Sequence, residues 1–234
     1  MQCPECQSTH IRKNGKKKGK QNHICVECGR QFIDQYDEVG YSDEFKRECL
    51  KMYVNGMGFR AIERVKGVHH TTVITWVKQV GELLPDAYDP EQIPQVGELD
   101  ELQTFVGSKK KVWIWTAVDH FKPGILGWAI GDRSAKTFAP LWSIVSLWQC
   151  FFYVTDGWKV YPMFVPDGDQ IVSKTYMTRV EGENTRLRHY LARLHRKTLC
   201  YSKSLEMLKH SLRLLIHYLK FWDVPVPWRL PIHT

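Results

Sequence analysis

Four of the seven cysteines stand as two close pairs, Cys3 with Cys6 and Cys25 with Cys28, in a C-x2-C…C-x2-C pattern. Two residues between thiols let one tight turn offer both sulfurs to a tetrahedral ion, and the second pair closes the coordination sphere. Four thiolates leave no open position, so the expected ion is structural Zn²⁺. Gly29, directly after Cys28, suits the turn of such a knuckle. The competing reading is paired disulfides or a redox C-x-x-C. The doubled motif, in a chain whose Met1-Gln2-Cys3-Pro4 start has no apolar signal region, weighs against it. Cys49, Cys150 and Cys200 are scattered and read as core residues.

A second set of candidates is acidic. Asp100 and Asp156 each end a hydrophobic, β-rich run, and Glu181 opens a basic helix. Carboxylates converging from strand ends and a helix can hold two Mg²⁺ or Mn²⁺ ions about 4 Å apart, the arrangement that activates one oxygen and stabilises another in phosphodiester chemistry. Acids at strand ends are also common as solvated loop residues, so position alone leaves both readings open. Glu183 rivals Glu181 as third carboxylate, but a helix turns the two onto different faces. Glu98 shares strand parity with Asp100 and reads as a supporting residue. Asp119 and the Asp167-Gly168-Asp169 run read as turns.

These acids need a sheet. Runs at 95–101, 112–119, 125–130 and 151–156 read as strands, with a helix at 135–148 capped by Ser134 and a basic helix over 181–196. The uncharged stretch 137–155 is near the length of a membrane span. Pro140, Ser143, Ser146 and Gln149 break it, so it reads as a buried helix followed by a buried strand. The tryptophans Trp113, Trp115, Trp128, Trp142 and Trp148 read as core or protein-contact residues.

Ahead of the sheet, three helices are expected. The first starts after Ser42 and ends at Asn55-Gly56, the second covers about 59–65, and the third about 69–81 after Lys66-Gly67-Val68. A short helix, a glycine-containing turn and a longer helix form the helix-turn-helix pattern, which puts His70, Thr71, Thr72 and Thr75 toward a major groove and Lys78 toward a phosphate. Any small three-helix bundle has the same periodicity. Between the knuckles, a basic hairpin tip carrying Lys16, Lys17, Lys18 and Lys20 suits DNA phosphate contact. So do Arg188, Arg193, Arg196 and Lys197 of the later helix. The polar, Pro-punctuated run 85–94 marks a boundary.

Composition agrees with these assignments. The 234 residues carry a net charge of +8, with 43% hydrophobic and 25% charged residues. That excludes disorder, collagen and a disulfide scaffold and favours a polyanionic partner. Acids outnumber bases over 83–170, whereas Glu181, Glu183 and Glu206 are the only acids over 171–220. An acidic centre between basic flanks fits a carboxylate site beside phosphate-holding surfaces.

Several motifs together resemble the insertion-sequence-one transposase family: Cys3-Pro4-x-Cys6…Cys25-x-x-Cys28-Gly29, Leu99-Asp100-Glu101-Leu102…Val106-Gly107-Ser108, Thr155-Asp156-Gly157-Trp158 with Tyr161, Thr178-Arg179-Val180-Glu181, and Arg188-His189-Tyr190 through Thr198. The resemblance spans nearly the whole chain. It implies a multidomain α+β protein: zinc ribbon (1–40), helix-turn-helix (41–84), linker (85–95), and a ribonuclease-H-like mixed α/β catalytic domain (96–222) with a DDE triad at Asp100, Asp156 and Glu181. A Pro-rich tail (223–234) has no assigned role. One departure is Gly182-Glu183 before Asn184, where the family tends to carry a basic pair. The expected activity is metal-dependent cleavage and strand transfer by a DNA transposase. Its partners would be the double-stranded terminal inverted repeats, target DNA and a second copy of the chain, with no membrane, in the cytoplasm at the nucleoid. The alternatives are a non-catalytic DNA-binding repressor, a degenerate transposase, or a ribonuclease-H-like nuclease on hybrids.

Overall fold

The computed structural model describes residues 1–17, 19–33, 40–107, 110–194 and 200–225. The expected contacts from Lys18, Arg196 and Lys197 lie outside these residues, as does most of the tail. The chain divides into two compact units, Met1–Ser42 and Asp43–Thr234.

In the first unit, β1 (Ile11–Lys17), β2 (Lys20–Cys25) and β3 (Gln31–Ile33) form an antiparallel sheet in that order. Its apolar core is small: Cys3, Cys25 and Phe32, with Ile11 against them. After Cys28 the chain turns at Gly29, whose φ of +74° is a left-handed value that glycine adopts without a Cβ penalty. The Gly29 N–H closes the turn on the Cys25 carbonyl at 3.0 Å.

The second unit opens with the three expected helices, α1 (Asp43–Val54), α2 (Phe59–Lys66) and α3 (His70–Leu83). α2 stops at Gly67, a left-handed C-cap whose N–H bonds the Glu63 carbonyl. Ile62, Val73, Trp76, Val77 and Val80 face inward at helical spacing and join a core shared with the sheet.

Next come β4 (Val96–Val106), β5 (Lys110–Asp119), β6 (Ile125–Gly131), α4 (Ala135–Val145), β7 (Phe152–Thr155), β8 (Gln170–Val172), α5 (Thr178–Tyr190) and α6 (Leu205–Phe221). The five strands lie in the order β6-β5-β4-β7-β8. β4 pairs antiparallel with β5 from Gly97↔Asp119 to Val106↔Lys110, and parallel with β7 through Glu98↔Val154. The period-2 alternation of a strand sorts the side chains. Leu99, Trp115 and Ala117 pack under α4 with Phe138, Leu141 and Tyr161, while Leu102, Ile114, Val118 and Trp128 pack on the helical side.

Several boundaries differ from expectation. β4 does not end in its acids but continues to Val106, because Leu102, Thr104 and Val106 stay buried; Asp100 therefore lies in mid-strand. α5 begins at Thr178 and ends at Tyr190, well short of 196. Ser134 makes no side-chain cap on α4; Asp132 Oδ1 instead accepts from the Ser134 and Thr137 hydroxyls. β8 and the 17-residue α6 have no counterpart in the sequence reading. Cys200 is exposed, not core.

Candidate active site and metal centre

The acidic site is set by strand register. Glu98 pairs with Val154 across the parallel β4–β7 ladder, so two residues further along each strand Asp100 and Asp156 come level. β7 stops at Thr155, which frees the Asp156 side chain at a strand end beside the middle of β4. Asp156 Oδ1 takes the Trp158 backbone N–H at 2.9 Å, an Asx-type turn that fixes its carboxylate. Asp100, Glu101 and Asp156 each offer an oxygen within 4.8 Å of the others.

α5 reaches the same place. Asn184 donates its amide to Asp100 Oδ2 at 2.8 Å, and its carbonyl oxygen accepts from the buried Thr116 hydroxyl at 3.1 Å. Residues three apart share a helix face, so Glu181 lies one turn before Asn184 on the face toward Asp100, with its side chain exposed. Burial raises the Asp100 pKa above the usual aspartate range, and the charges of Asp156 and Glu181 raise it further. Glu183 points elsewhere: it is buried, accepts the Gly124 N–H at 3.0 Å and pairs with Arg186.

Glu101 is adjacent to Asp100 but committed. Oε1 accepts the Arg133 Nε–H at 2.6 Å as well as an Arg133 Nη2–H, and Oε2 accepts the Tyr161 hydroxyl at 2.6 Å. Burial raises its pKa, the Tyr161 and Arg133 hydrogen bonds opposing that rise. Arg133 also reaches Asp156 Oδ2 at 3.6 Å, and its guanidinium lies over the Trp158 and Trp113 rings at 3.7 and 4.6 Å. Trp113, half-buried, is thus a stacking partner of Arg133. Glu98 is fully buried, bonded to His120 and to the backbone N–H of Val180. Asp119 closes a turn on the Phe121 N–H.

Carboxylate oxygens at this spacing could hold a metal ion. In the N-terminal unit, the four cysteine sulfurs also lie within 4.8 Å of one another. Cys3–Cys28 and Cys6–Cys25 are 3.6 and 3.5 Å apart, far beyond a disulfide bond and close to the edge of a tetrahedron with Zn–S arms of about 2.3 Å. This set could hold zinc.

The basic candidates fall in different settings. Lys16 and Lys17 are exposed on β1, and Lys20 is half-buried at the start of β2. On α3, Thr71 and Thr75 are exposed, Thr72 is half-buried, and His70 bonds Glu63 at 2.9 Å. Lys78 pairs with Glu206 of α6 at 3.2 Å. Arg188 is half-buried. Arg193, half-buried, lies over the Tyr53 and Phe59 rings and donates Nη1–H to the Ser202 hydroxyl.

Arg133 and Asn184 are the residues that sequence reasoning missed. Asn184 carried a signal, one helical turn past Glu181. Arg133 carried only its type, as the one arginine over 83–170.

The family model described as IS1 transposase matches residues 95–222. The Insertion element IS1 protein InsB of Shigella flexneri is 35% identical over 123 residues, 52% of this chain and 92% of its own length. The Insertion element IS1 9 protein InsB of Escherichia coli (strain K12) shows the same identity over the same length, 72% of its own chain. No helix among the described residues is long and apolar enough to cross a membrane.

Proposed function

The chain belongs to the IS1 transposase family, and from that premise we propose that it cuts DNA and transfers strands through Asp100, Asp156 and Glu181. The observation that carries the proposal is the convergence at Asp100. The parallel register brings Asp156 level with it, and Asn184 ties it to the helix face that bears Glu181. The strand order β6-β5-β4-β7-β8 supports a ribonuclease-H-like reading of residues 96–222.

Two Mg²⁺ or Mn²⁺ ions bound there would supply an activated attacking oxygen and a stabilised leaving one. The chain's own part is positional. Asp100 on β4 and Asp156 directly after the neighbouring β7 sit side by side, so little reorganisation is needed to present both carboxylates together. Glu181 supplies the third from the exposed first turn of α5. The bonds of Glu183 to Gly124 and Arg186 favour Glu181 over it. No covalent protein–DNA intermediate is required.

The remaining assignments divide the labour along the chain. Residues 1–40 form a zinc ribbon whose hairpin lysines, Lys16, Lys17 and Lys20 among them, hold phosphate. Residues 41–84 form a helix-turn-helix whose Thr71, Thr72, Thr75 and His70 read the terminal inverted repeats, with Lys78 and Arg188 beside the backbone. Residues 85–95 link it to the catalytic segment. Joining two DNA ends calls for at least a dimer.

The test is strand transfer in vitro with labelled terminal-repeat DNA, a plasmid target and Mg²⁺, against an Asp156→Ala control. Joined products that disappear in the control support the transposase. Specific end binding without cleavage in Mg²⁺ or Mn²⁺ would leave the second reading, a DNA-binding repressor or degenerate transposase.

A further inference from the structure

We propose that Arg133 is a positioning residue of the acidic site: an internal counter-cation that orients Asp156 before a metal ion binds, with Glu101 as its tether and not as a metal ligand. The inference rests on the metal-dependent reading above.

Three observations carry it. Arg133 is held from three sides. The buried Glu101 carboxylate takes its Nε and Nη2 protons, Trp158 and Trp113 cover its guanidinium, and Asp156 Oδ2 lies 3.6 Å from Nη2. A planar guanidinium stacked on aromatic rings and bonded along its edge has little rotational freedom left, which lysine could not reproduce. Second, both Glu101 oxygens are occupied, by Arg133 and by Tyr161. Glu101 could turn to a metal only by leaving a buried tyrosine hydroxyl and a half-buried guanidinium without their acceptor. Third, Arg133 offsets part of the local charge. Asp100, Glu101 and Asp156 cluster within 4.8 Å, and like charges this close repel unless a cation lies among them. Arg133 contacts two of the three.

A divalent ion entering this site meets a carboxylate already partly neutralised. Arg133 therefore lowers metal affinity while holding Asp156 in one orientation, so the two effects should separate in variants. A residue serving only to stabilise the fold would move neither in this pattern.

The experiment is calorimetric titration of Mn²⁺ into the full-length, zinc-loaded, DNA-free protein, with cleavage of terminal-repeat DNA measured in parallel. Arg133→Gln should bind Mn²⁺ about three- to tenfold more tightly than wild type, as expected for loss of one nearby positive charge partly screened by solvent, yet cleave at least tenfold more slowly at saturating Mn²⁺. Arg133→Lys should keep the wild-type Mn²⁺ affinity within about twofold and recover only part of the rate. Because Arg133→Gln strands a buried carboxylate and can misfold, the double variant E101Q/R133Q removes both charges together. It should bind Mn²⁺ within about twofold of wild type and still cleave slowly. Weaker Mn²⁺ binding by Arg133→Gln, or loss of Mn²⁺ binding by the double variant, would overturn the proposal, the second by making Glu101 a ligand. A double variant that cleaves at the wild-type rate would also overturn it. Absence of Mn²⁺ binding by the wild-type protein would instead strike the metal-dependent reading.

Discussion

The Glu98 carboxylate accepts the backbone N–H of Val180 at 2.7 Å, joining two residues 82 positions apart in the chain. Val180 lies in the first turn of α5, where backbone N–H groups have no helical partner. A fully buried acid on the central strand therefore serves as a long-range cap for the helix that carries Glu181, one residue further on. The opposite charge of the helix N-terminus favours a carboxylate at that point. The register that brings Asp156 level with Asp100 and the cap that brings α5 down onto Asp100 both start from β4.

Replacing Glu98 should damage placement more than chemistry. Glu98→Ala leaves the Val180 N–H and the His120 ring without their acceptor in a buried setting, an expected cost of about 2–4 kcal/mol. Glu98→Gln keeps an acceptor for one of them and should cost less. Denaturant unfolding measures both. A loss of cleavage by Glu98→Gln that exceeds its stability loss is the expected sign that α5 has shifted; wild-type stability in Glu98→Ala would contradict the capping role.

The two glutamates of α5 should separate cleanly. Glu181 is exposed, and Glu183 is buried against Gly124 and Arg186. Glu181→Ala should leave thermal stability within about 0.5 kcal/mol of wild type, as usual for exposed positions, and abolish strand transfer. Glu183→Ala should lower stability by about 1–3 kcal/mol through the orphaned Gly124 N–H and Arg186. Thermal melts run beside cleavage assays decide it, and the reverse pattern would make Glu183 the third carboxylate.

Much of this arrangement is legible in the sequence. The four-cysteine spacing, the glycine that ends α2 and the apolar runs of β5 and β7 are local signals, and local signals fix turns, caps and strands. Asp156 stands out because it follows its strand directly. Asp100 stands out for a reason the fold does not support, since it lies in mid-strand and parity alone does not tell where an eleven-residue strand stops. Arg133 is invisible to such reasoning, because its partners come from three separate segments, Glu101 from β4, Trp113 from β5 and Asp156 with Trp158 from the turn after β7, that meet only in the folded sheet. α6, by contrast, carries local signals of its own, a Ser204 cap and buried leucines at 208, 212, 215 and 219 in helical spacing, and only its approach to α3, which depends on Gly81, is long-range.

That contact makes a sharp prediction. A Cβ added at Gly81 would sit 2.6 Å from His210 Cβ and 2.7 Å from its Cα, backbone that cannot move aside cheaply. Gly81→Ala gains helix propensity of about 1 kcal/mol but must part α3 from α6. Overpacking in a buried contact costs about 1–3 kcal/mol or more, so a net loss of stability is expected in chemical denaturation. A stabilised Gly81→Ala protein would mean that the two helices are not this closely packed.

The acidic site should also cost the metal-free protein stability. Asp100 holds its proton more tightly in the folded chain than in the unfolded one, chiefly because it is buried and next because Asp156 and Glu181 are near. A raised carboxyl pKa contributes stability that is fully present below the unfolded value and is lost as pH rises through the folded one. Once ionised, Asp100 therefore weakens the fold. Asp100→Asn removes that charge, and the metal-free variant should melt above wild type near pH 7. Its advantage should shrink as pH falls toward the usual aspartate range, where wild-type Asp100 is itself protonated. Adding Mn²⁺ should raise the wild-type melting temperature and leave Asp100→Asn almost unmoved, because an ion that binds only the folded site stabilises it by mass action. A metal-free Asp100→Asn protein that melts below wild type at neutral pH would show that the Asn184 hydrogen bond, and not the charge, dominates at this position.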